Sequence, residues 1–238
     1  MLSSNKSFSY LAVLSAVFIL IAFGLVLFYA PVEQTMGMVQ KVFYFHVAAG
    51  WLGMLGFAVA AVCAILYLRK GKLGLDAVAA SSVEIGLLFT AIANFTGMIW
   101  ARPVWNTWWT WDPRLTTMTI MAFTYIAYFL LRRGIDDPVK KARFGSIYLI
   151  VGFVTVPLTF FSARLLRTIH PTIFGGANSG EMAMTGEMYF TMGFSIFAFS
   201  LLFVVLLLAR SRLKIGEQLL NEREMLEQEE EFGEVNSG

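Results

Sequence analysis

Long apolar runs separated by short polar segments dominate the hydrophobic pattern of this 238-residue chain. A bilayer core of about 30 Å needs about 20 apolar residues at 1.5 Å rise per residue, so each run is long enough to cross a membrane as one helix. The pattern predicts an all-α polytopic membrane protein, a bundle of six transmembrane helices. The predicted spans cover residues 10–30, 42–68, 77–99, 115–131, 145–161 and 188–209.

The basic residues between the runs predict the orientation of the bundle. Thirteen of the 18 lysines and arginines fall on one side and five on the other. Basic loops stay in the cytoplasm because translocating them is costly. We therefore expect both termini to be cytoplasmic and the loops at 31–41, 100–114 and 162–187 to face outward. The five outward residues are Lys41, Arg102, Arg114, Arg164 and Arg167.

The composition indicates that most of the chain is surrounded by lipid, and it excludes some functions. Hydrophobic residues make up 58% of the chain and charged residues only 14%, against roughly 25% charged residues in soluble domains. Cys63 is the one cysteine, so the chain has neither an internal disulfide nor a CxxCH motif for covalent haem attachment. It also has no P-loop of the form GxxxxGK followed by Ser or Thr, so any coupling to ATP must come from a partner.

The chain divides by composition into a six-helix membrane domain at 1–212 and an acidic cytoplasmic tail at 213–238. The tail carries eight glutamates, while Ile215, Leu219 and Leu226 recur near helical spacing. Two interpretations are open. One is a solvated acidic tail, and the other is a short cytoplasmic helix that docks on a partner.

All six tryptophans map to the predicted outer side. Trp51 lies near the start of the second span, and the other five fall within the twelve residues 100–111. Tryptophan belts occur at both membrane interfaces. A belt therefore explains one or two of these rings, but not a cluster on one side, which makes the loop at 100–114 a candidate binding segment.

This loop contains the stretch WNTWWTWD between Pro103 and Pro113. Proline suits the first turn of a helix, and the residue before a proline is disfavoured in helical geometry, so a helix of about two turns is predicted between the two prolines. A rigid face of aromatic rings on this helix suits a large planar apolar ligand. A cage for a quaternary ammonium group also uses several tryptophan rings. At 100° per residue four side chains would share one face: Trp105, Trp108, Trp109 and Asp112.

The chain has two histidines, His46 and His170, and both map to the tryptophan side. A lone interfacial histidine is usually solvated, but both histidines beside an aromatic surface favour a planar ligand that carries a metal. Two imidazoles on opposite faces of a porphyrin would complete a bis-His haem. A zinc ion would need a further ligand such as Asp112 or Glu181, and it would leave the tryptophans unexplained.

Charged residues complete the set of candidates. Arg114 could pair with Asp112 and fix the loop. Glu84 lies within the third span, where a carboxylate is costly, so it is expected to be either neutral or paired with Lys70 or Arg132 near the inner surface. Four outward arginines could pair with the two propionates of a haem, or could anchor helix ends at the headgroups: Arg102, Arg114, Arg164 and Arg167.

The stretch WNTWWTWDPRLT, from Trp105 to Thr116, resembles the tryptophan-rich WWD signature of the haem-handling proteins of cytochrome c maturation. With its six spans, its length near 240 residues and its two outward histidines, the chain is similar to the cytochrome c maturation protein C family (haem exporter protein C, CcmC). The resemblance covers nearly the whole chain except the acidic tail. The family usually has glycine where this chain has Asn106, and commonly alanine where it has Pro113.

The resemblance implies a protein of the bacterial inner membrane that holds haem b non-covalently at the outer face and delivers it for c-type cytochrome biogenesis. Its implied partners are a membrane-anchored haem chaperone (CcmE-type), ABC-transporter subunits (CcmA/CcmB-type) and a small membrane subunit (CcmD-type). It implies His46 and His170 as axial ligands of the haem iron. The implied haem-binding platform consists of Trp105, Trp108, Trp109, Trp111 and Asp112, with Arg114 beside it.

These expectations favour a haem transfer protein over a conventional enzyme. A haem-containing membrane electron-transfer subunit is the alternative, but it usually needs haems at two depths and hence about four buried histidines. A transporter of a small organic cation would need acidic residues along its path, and Glu84 alone is available at that depth. The larger cytochrome c synthetases that share the signature have more spans and additional histidines.

Overall fold

The computed structural model describes residues 6–34, 36–171 and 184–237, with side chains described up to Glu224 and at Glu227. Residues 172–183 of the predicted third outer loop, which include Glu181, lie outside the described residues. A π-helical turn (Leu25–Tyr29) extends α1, and a 3₁₀ turn (Met38–Lys41) leads into α2. The helices are α1 (Lys6–Gly24), α2 (Val42–Lys70), α3 (Leu73–Trp105), α4 (Pro113–Arg133), α5 (Pro138–Gly152), α6 (Thr155–Leu165) and α7 (Gly186–Ser237).

Six helical segments are long and apolar enough to cross a membrane, which confirms the predicted all-α, six-span bundle. Each is longer than the predicted span because the helices continue into the polar residues that flank the apolar runs. The chain is thus a multi-pass membrane protein. The six segments are Lys6–Tyr29, Met38–Lys70, Leu73–Trp105, Pro113–Arg133, Pro138–Leu165 and Gly186–Glu224.

Helices α2 and α3 form the centre of the bundle. They approach closely because small residues meet at their crossing, where a Cβ atom on Gly56 would lie only 2.9 Å from both the Gly86 Cα and the Ser82 carbonyl oxygen. Small residues allow such close packing where no hydrophobic effect drives helices together. Helices α4, α5 and α7 pack around this pair, and α1 packs on α7 at the edge of the bundle.

The fifth span consists of two helices, α5 and α6. The break between them at residues 153–154 lies just before Pro157, which has no N–H to donate to the helical ladder. Helix α6 then packs mainly against α4, where the Thr159 hydroxyl donates to the Thr117 carbonyl oxygen at 3.1 Å. This contact fixes the direction in which the chain leaves the span toward His170.

We call the end of the bundle with His46, Trp105 and His170 the histidine end, and the opposite end, with Lys70 and Arg132, the basic end. The bundle has an even number of spans, so the chain enters and leaves it at the same end. That end is the basic one, as the charge pattern predicts.

The expected partners of Glu84 are wrong. Its carboxylate accepts hydrogen bonds from Arg210 Nε at 2.6 Å and from Lys214 Nζ at 2.7 Å, both on α7. Arg132 instead donates two hydrogen bonds to Asp76 at 2.6 and 2.8 Å. The reason is that α7 remains helical past its apolar run and carries its first basic residues alongside α3.

Helix α7 continues without a break from its membrane span to Ser237. The acidic region from 213 onward is therefore joined to the span as one helix. The division into a membrane domain and a separate functional tail stays a prediction.

Candidate ligand site between two histidines

His46 and His170 come together at the histidine end, although 124 positions separate them in the sequence. Their ring centroids lie 6.4 Å apart, and the ring planes are tilted by 40°. The Nδ1 atom of each ring lies 2.9 Å from a backbone carbonyl oxygen, that of Ala93 for His46 and that of Pro171 for His170. When Nδ1–H donates to that carbonyl, Nε2 keeps its lone pair free for a metal.

Helix α3 packs closely against the His46 ring at Gly97. A Cβ atom on Gly97 would lie 2.9 Å from the His46 Cε1 atom and 3.3 Å from Nδ1, so only glycine leaves room for the ring in this position. Sequence reasoning missed this residue. Its weak signal is that glycine inside a long helix costs about 1 kcal/mol and so needs a packing or functional reason.

Asp112 connects the tryptophan segment to His170. One carboxylate oxygen caps α4 by accepting a hydrogen bond from the Leu115 N–H at 3.0 Å. The other accepts a short hydrogen bond from the Thr168 hydroxyl. The Thr168 oxygen in turn accepts from the backbone N–H of His170 at 3.0 Å. Asp112 thus orients the second histidine, through a threonine that sequence reasoning did not single out.

The His170 ring is a neutral imidazole at physiological pH. Burial, and then the nearby positive charge of Arg114, lower the pKa of His170 to about 3. A neutral ring is the form that binds metals. No proton has to leave His170 before it can act as a ligand.

The tryptophan segment is not the predicted helix. Helix α3 continues through Pro103 to Trp105 and ends at Asn106, which takes the left-handed conformation with φ of 54°. The residues from there to Asp112 form no helix before α4 begins at Pro113. The prediction failed because Pro103, which is itself exposed, sits in the last turn of a long helix and does not begin a new one. Trp100 and Trp105 on either side of it pack into a core cluster with Tyr44 and Met192.

The loop consequently separates the tryptophans into two pairs. Trp105 and Trp109 line a cavity beside the histidines, and the Trp105 ring lies 6.5 Å from the His170 ring between centroids. Trp108 and Trp111 are 54% and 74% exposed, and neither lines this cavity. Trp100, which the sequence did not select, is buried against Trp105 at 5.4 Å between centroids.

Two cavities meet at the histidines. The larger has a volume of about 410 Å³ and extends between α2, α6 and α7, with Trp51, Phe160 and Ile196 in its wall. The smaller lies on the side of Trp105 and Trp109 and has a volume of about 60 Å³. Their shared wall is formed by His46, Gly50, Trp100, Arg114 and His170.

Arg114 does not pair directly with Asp112. Its guanidinium group donates to the carbonyl oxygens of Thr159 and Phe160 on α6, so it ties α4 to the fifth span and reaches both cavities. Arg102 lies elsewhere and donates to the backbone and side-chain oxygens of Asn106, both at 2.6 Å.

Within the described ranges, no group of three or more His, Cys, Asp or Glu side chains is arranged to hold a metal ion. Asp112, one of the two zinc ligands considered, is engaged in helix capping and with Thr168. The other, Glu181, lies outside the described residues.

Fold and site together define a multi-pass membrane protein that holds two imidazoles beside an apolar cavity at one end of its bundle. The family profile CcmC, described as "Heme exporter protein C", matches residues 1–226 of the chain. The chain belongs to this family.

Curated relatives that carry the name "Heme exporter protein C" agree with the profile. The chain is 31% identical to the protein of Bradyrhizobium diazoefficiens, over 83% of this chain and 75% of the relative. It is 32% identical to that of Escherichia coli K12, over 77% and 74%. It is also 32% identical to that of Haemophilus influenzae, over 83% and 80%.

Proposed function

We propose that this chain binds haem b non-covalently between His46 and His170 at the outer face of the bacterial inner membrane. It then delivers the haem to a membrane-anchored chaperone of the CcmE type for the biogenesis of c-type cytochromes. Membership of a family whose members are named heme exporters supports the ligand. The separation of the two imidazoles is the single observation that carries the site.

The spacing of the rings suits one metal atom between them. A His–metal bond is about 2.0–2.1 Å long and the nitrogen lies about 1 Å from the centre of its ring, so two imidazoles on opposite sides of one metal have centroids about 6 Å apart. The observed separation is 6.4 Å. Both Nδ1 atoms face backbone carbonyl oxygens, so each Nε2 is available to the metal.

The surroundings suit a planar apolar macrocycle. The larger cavity falls within the 300–1,000 Å³ common for small-molecule sites, and Trp105 and Trp109 supply rings for aromatic contact on the other side. In this proposal Trp108 and Trp111 form the solvent-facing part of the platform, where haem passes to the chaperone. Asp112 and Arg114 hold the loop and α6 in place around the ligand.

Haem bound here would be held by His46 and His170 and would be the group that is passed to the chaperone. The chain itself orients two neutral imidazoles and shields the macrocycle from water. Transfer from this site would involve ABC-transporter subunits of the CcmA/CcmB type and a small membrane subunit of the CcmD type. An electron-transfer subunit with haems at two depths is less well supported, because both histidines lie at one end of the bundle.

Absorption spectroscopy of the purified protein tests the proposal. We expect a bis-His haem spectrum from wild-type protein made in haem-replete cells, and loss of most of the retained haem in His46→Ala and in His170→Ala. Cys63→Ala is the matched control, because this thiol lies in the hydrophobic core formed with Phe57 and Tyr125, away from the cavities. Wild-type protein with no haem and no affinity for added haem would refute the proposal.

A further inference from the structure

Two arginines from different helices converge on one oxygen atom at the rim of the larger cavity. Arg114 on α4 and Arg164 on α6 both donate to the carbonyl oxygen of Phe160, at 3.3 and 3.1 Å. Arg164 also lies over the Phe160 ring, 4.4 Å from its centroid. Two guanidinium groups are thus held close together at a wall that both contribute to.

Among the described residues no carboxylate forms an ion pair with either guanidinium group, although the charge of Asp112 acts on Arg114 from a distance. The ion pairs found there are Arg132–Asp76, Arg210–Glu84 and Lys214–Glu84, all at the basic end. Asp112 is close in sequence to Arg114, but its two oxygens accept hydrogen bonds from Leu115 and Thr168.

Holding two like charges beside an apolar cavity is unfavourable, because their repulsion grows as the local dielectric constant falls. The neutral carbonyl oxygens of Thr159 and Phe160 offset little of this repulsion. An anion entering the cavity would relieve this repulsion and would form charge-assisted hydrogen bonds with both groups. The geometry therefore selects a ligand that carries negative charge on one edge and is otherwise apolar.

We infer that Arg114 and Arg164 form a carboxylate subsite that binds the two propionates of the macrocycle. This inference rests on the proposed function and adds an orientation to it. The propionate edge faces α6, because α6 contributes Arg164 and Phe160 to the larger cavity and nothing to the smaller one. The opposite edge faces Trp105 and Trp109. Arg102 is excluded from the subsite because it binds Asn106.

The test compares haem with its dimethyl ester, in which both carboxylates are blocked, by titrating apoprotein in detergent free of phospholipid. We expect wild-type protein to bind haem at least tenfold more tightly than the ester. Arg164→Gln should weaken haem binding about tenfold and leave ester binding within twofold, and Arg164→Lys should restore part of the loss. Arg167→Gln is the matched control, because Arg167 is exposed and lines neither cavity.

Several outcomes would overturn the subsite. Equal binding of haem and ester by wild-type protein would show that the carboxylates are not recognised. An equal loss of both ligands in Arg164→Gln would give the arginine a purely structural role. If added phospholipid weakens haem binding in wild type but not in Arg164→Gln, the arginines bind a lipid phosphate instead. Failure of the proposed function is distinct, because wild-type protein would then bind neither ligand.

Discussion

At the basic end of the bundle Arg132 pairs with a carboxylate, whereas at the histidine end Lys41 and Arg114 donate to backbone carbonyl oxygens. Arg132 forms two hydrogen bonds to Asp76, which is nearly fully buried. At the other end Lys41 donates to the carbonyl oxygens of Val26 and Leu27 at 2.8 and 2.7 Å, where the first span ends. Arg114 likewise donates to carbonyl oxygens of α6.

The difference distinguishes contacts that hold helices together from contacts that leave a positive charge available to a ligand. A carboxylate cancels the charge of its partner and locks two helices together, as Asp76 and Arg132 do for α3 and α4. A carbonyl oxygen satisfies a donor but leaves the net charge in place. Among the described residues, Lys41 and Arg114 at the histidine end therefore have no ion-pair partner, whereas Arg132 at the basic end has one. The following predictions test this difference between the two ends.

The largest effect is expected at the basic end. Asp76→Asn leaves the Arg132 guanidinium buried without a counter-charge, which should cost about 3 kcal/mol or more of stability. Thermal unfolding of the purified protein in detergent measures it, and the haem spectrum of the folded fraction should not change. Glu84→Gln should cost less, because the Glu84 side chain is 30% exposed against 4% for Asp76. Equal losses in the two variants would contradict this ranking.

Glycine 97 provides the next test, at the histidine end. Gly97→Ala should displace the His46 ring, because the new methyl group would lie 2.9 Å from Cε1, and should weaken haem binding about tenfold, or about 1.4 kcal/mol. Gly193→Ala is the control, since a Cβ atom there meets nothing within 4 Å. Haem titration of both variants measures this change in affinity. Unchanged binding in Gly97→Ala would remove the role of α3 in placing His46.

The link from Asp112 to His170 should have a smaller effect. Thr168→Val deletes the hydroxyl that donates to Asp112 and accepts from the His170 N–H, a loss of about 1 kcal/mol for such hydrogen bonds. We expect roughly fivefold faster haem dissociation, measured by transfer to a haem-scavenging apoprotein. Thr168→Ser keeps the hydroxyl and should behave like wild type. If the serine variant loses haem as fast as the valine variant, the methyl group and not the hydroxyl matters.

The exposed tryptophans should matter least for affinity. Trp111→Ala is expected to leave the haem dissociation constant within about twofold, because this ring is 74% exposed and lines neither cavity. Trp109→Ala removes a ring from the cavity wall and should weaken binding several-fold, as an aromatic contact contributes about 0.5–1.5 kcal/mol. The reverse order would show that the loop rearranges when haem binds.

Much of this molecule is predictable from local sequence. The six spans follow from the lengths of the apolar runs. The helix start at Pro113 with Asp112 as its cap differs from the sequence expectation, which puts Asp112 on the face of a preceding helix. Both histidines and the tryptophan segment were selected in advance by residue type and by the side of the membrane on which they fall. The fold was thus more predictable than the details of the site.

The failures share a cause. The helix predicted between Pro103 and Pro113 is absent because α3 runs on through Pro103 to Trp105, and its end packs against distant residues through Trp100 and Trp105. Similarly, Glu84 pairs with Arg210 and Lys214, more than 120 positions away, because α7 runs beside α3. In each case a long-range contact overrode a local preference.

The number of spans and the candidate ligands follow from the sequence alone, because they depend on apolar length and residue type. Three features of the site depend on the tertiary structure. They are the choice of tryptophans that face the cavity, the placement of the two imidazoles by Gly97 and Thr168, and the carbonyl oxygen shared by Arg114 and Arg164. These features depend on distances between helices that are far apart in the chain. Packing sets those distances, and no local pattern encodes them.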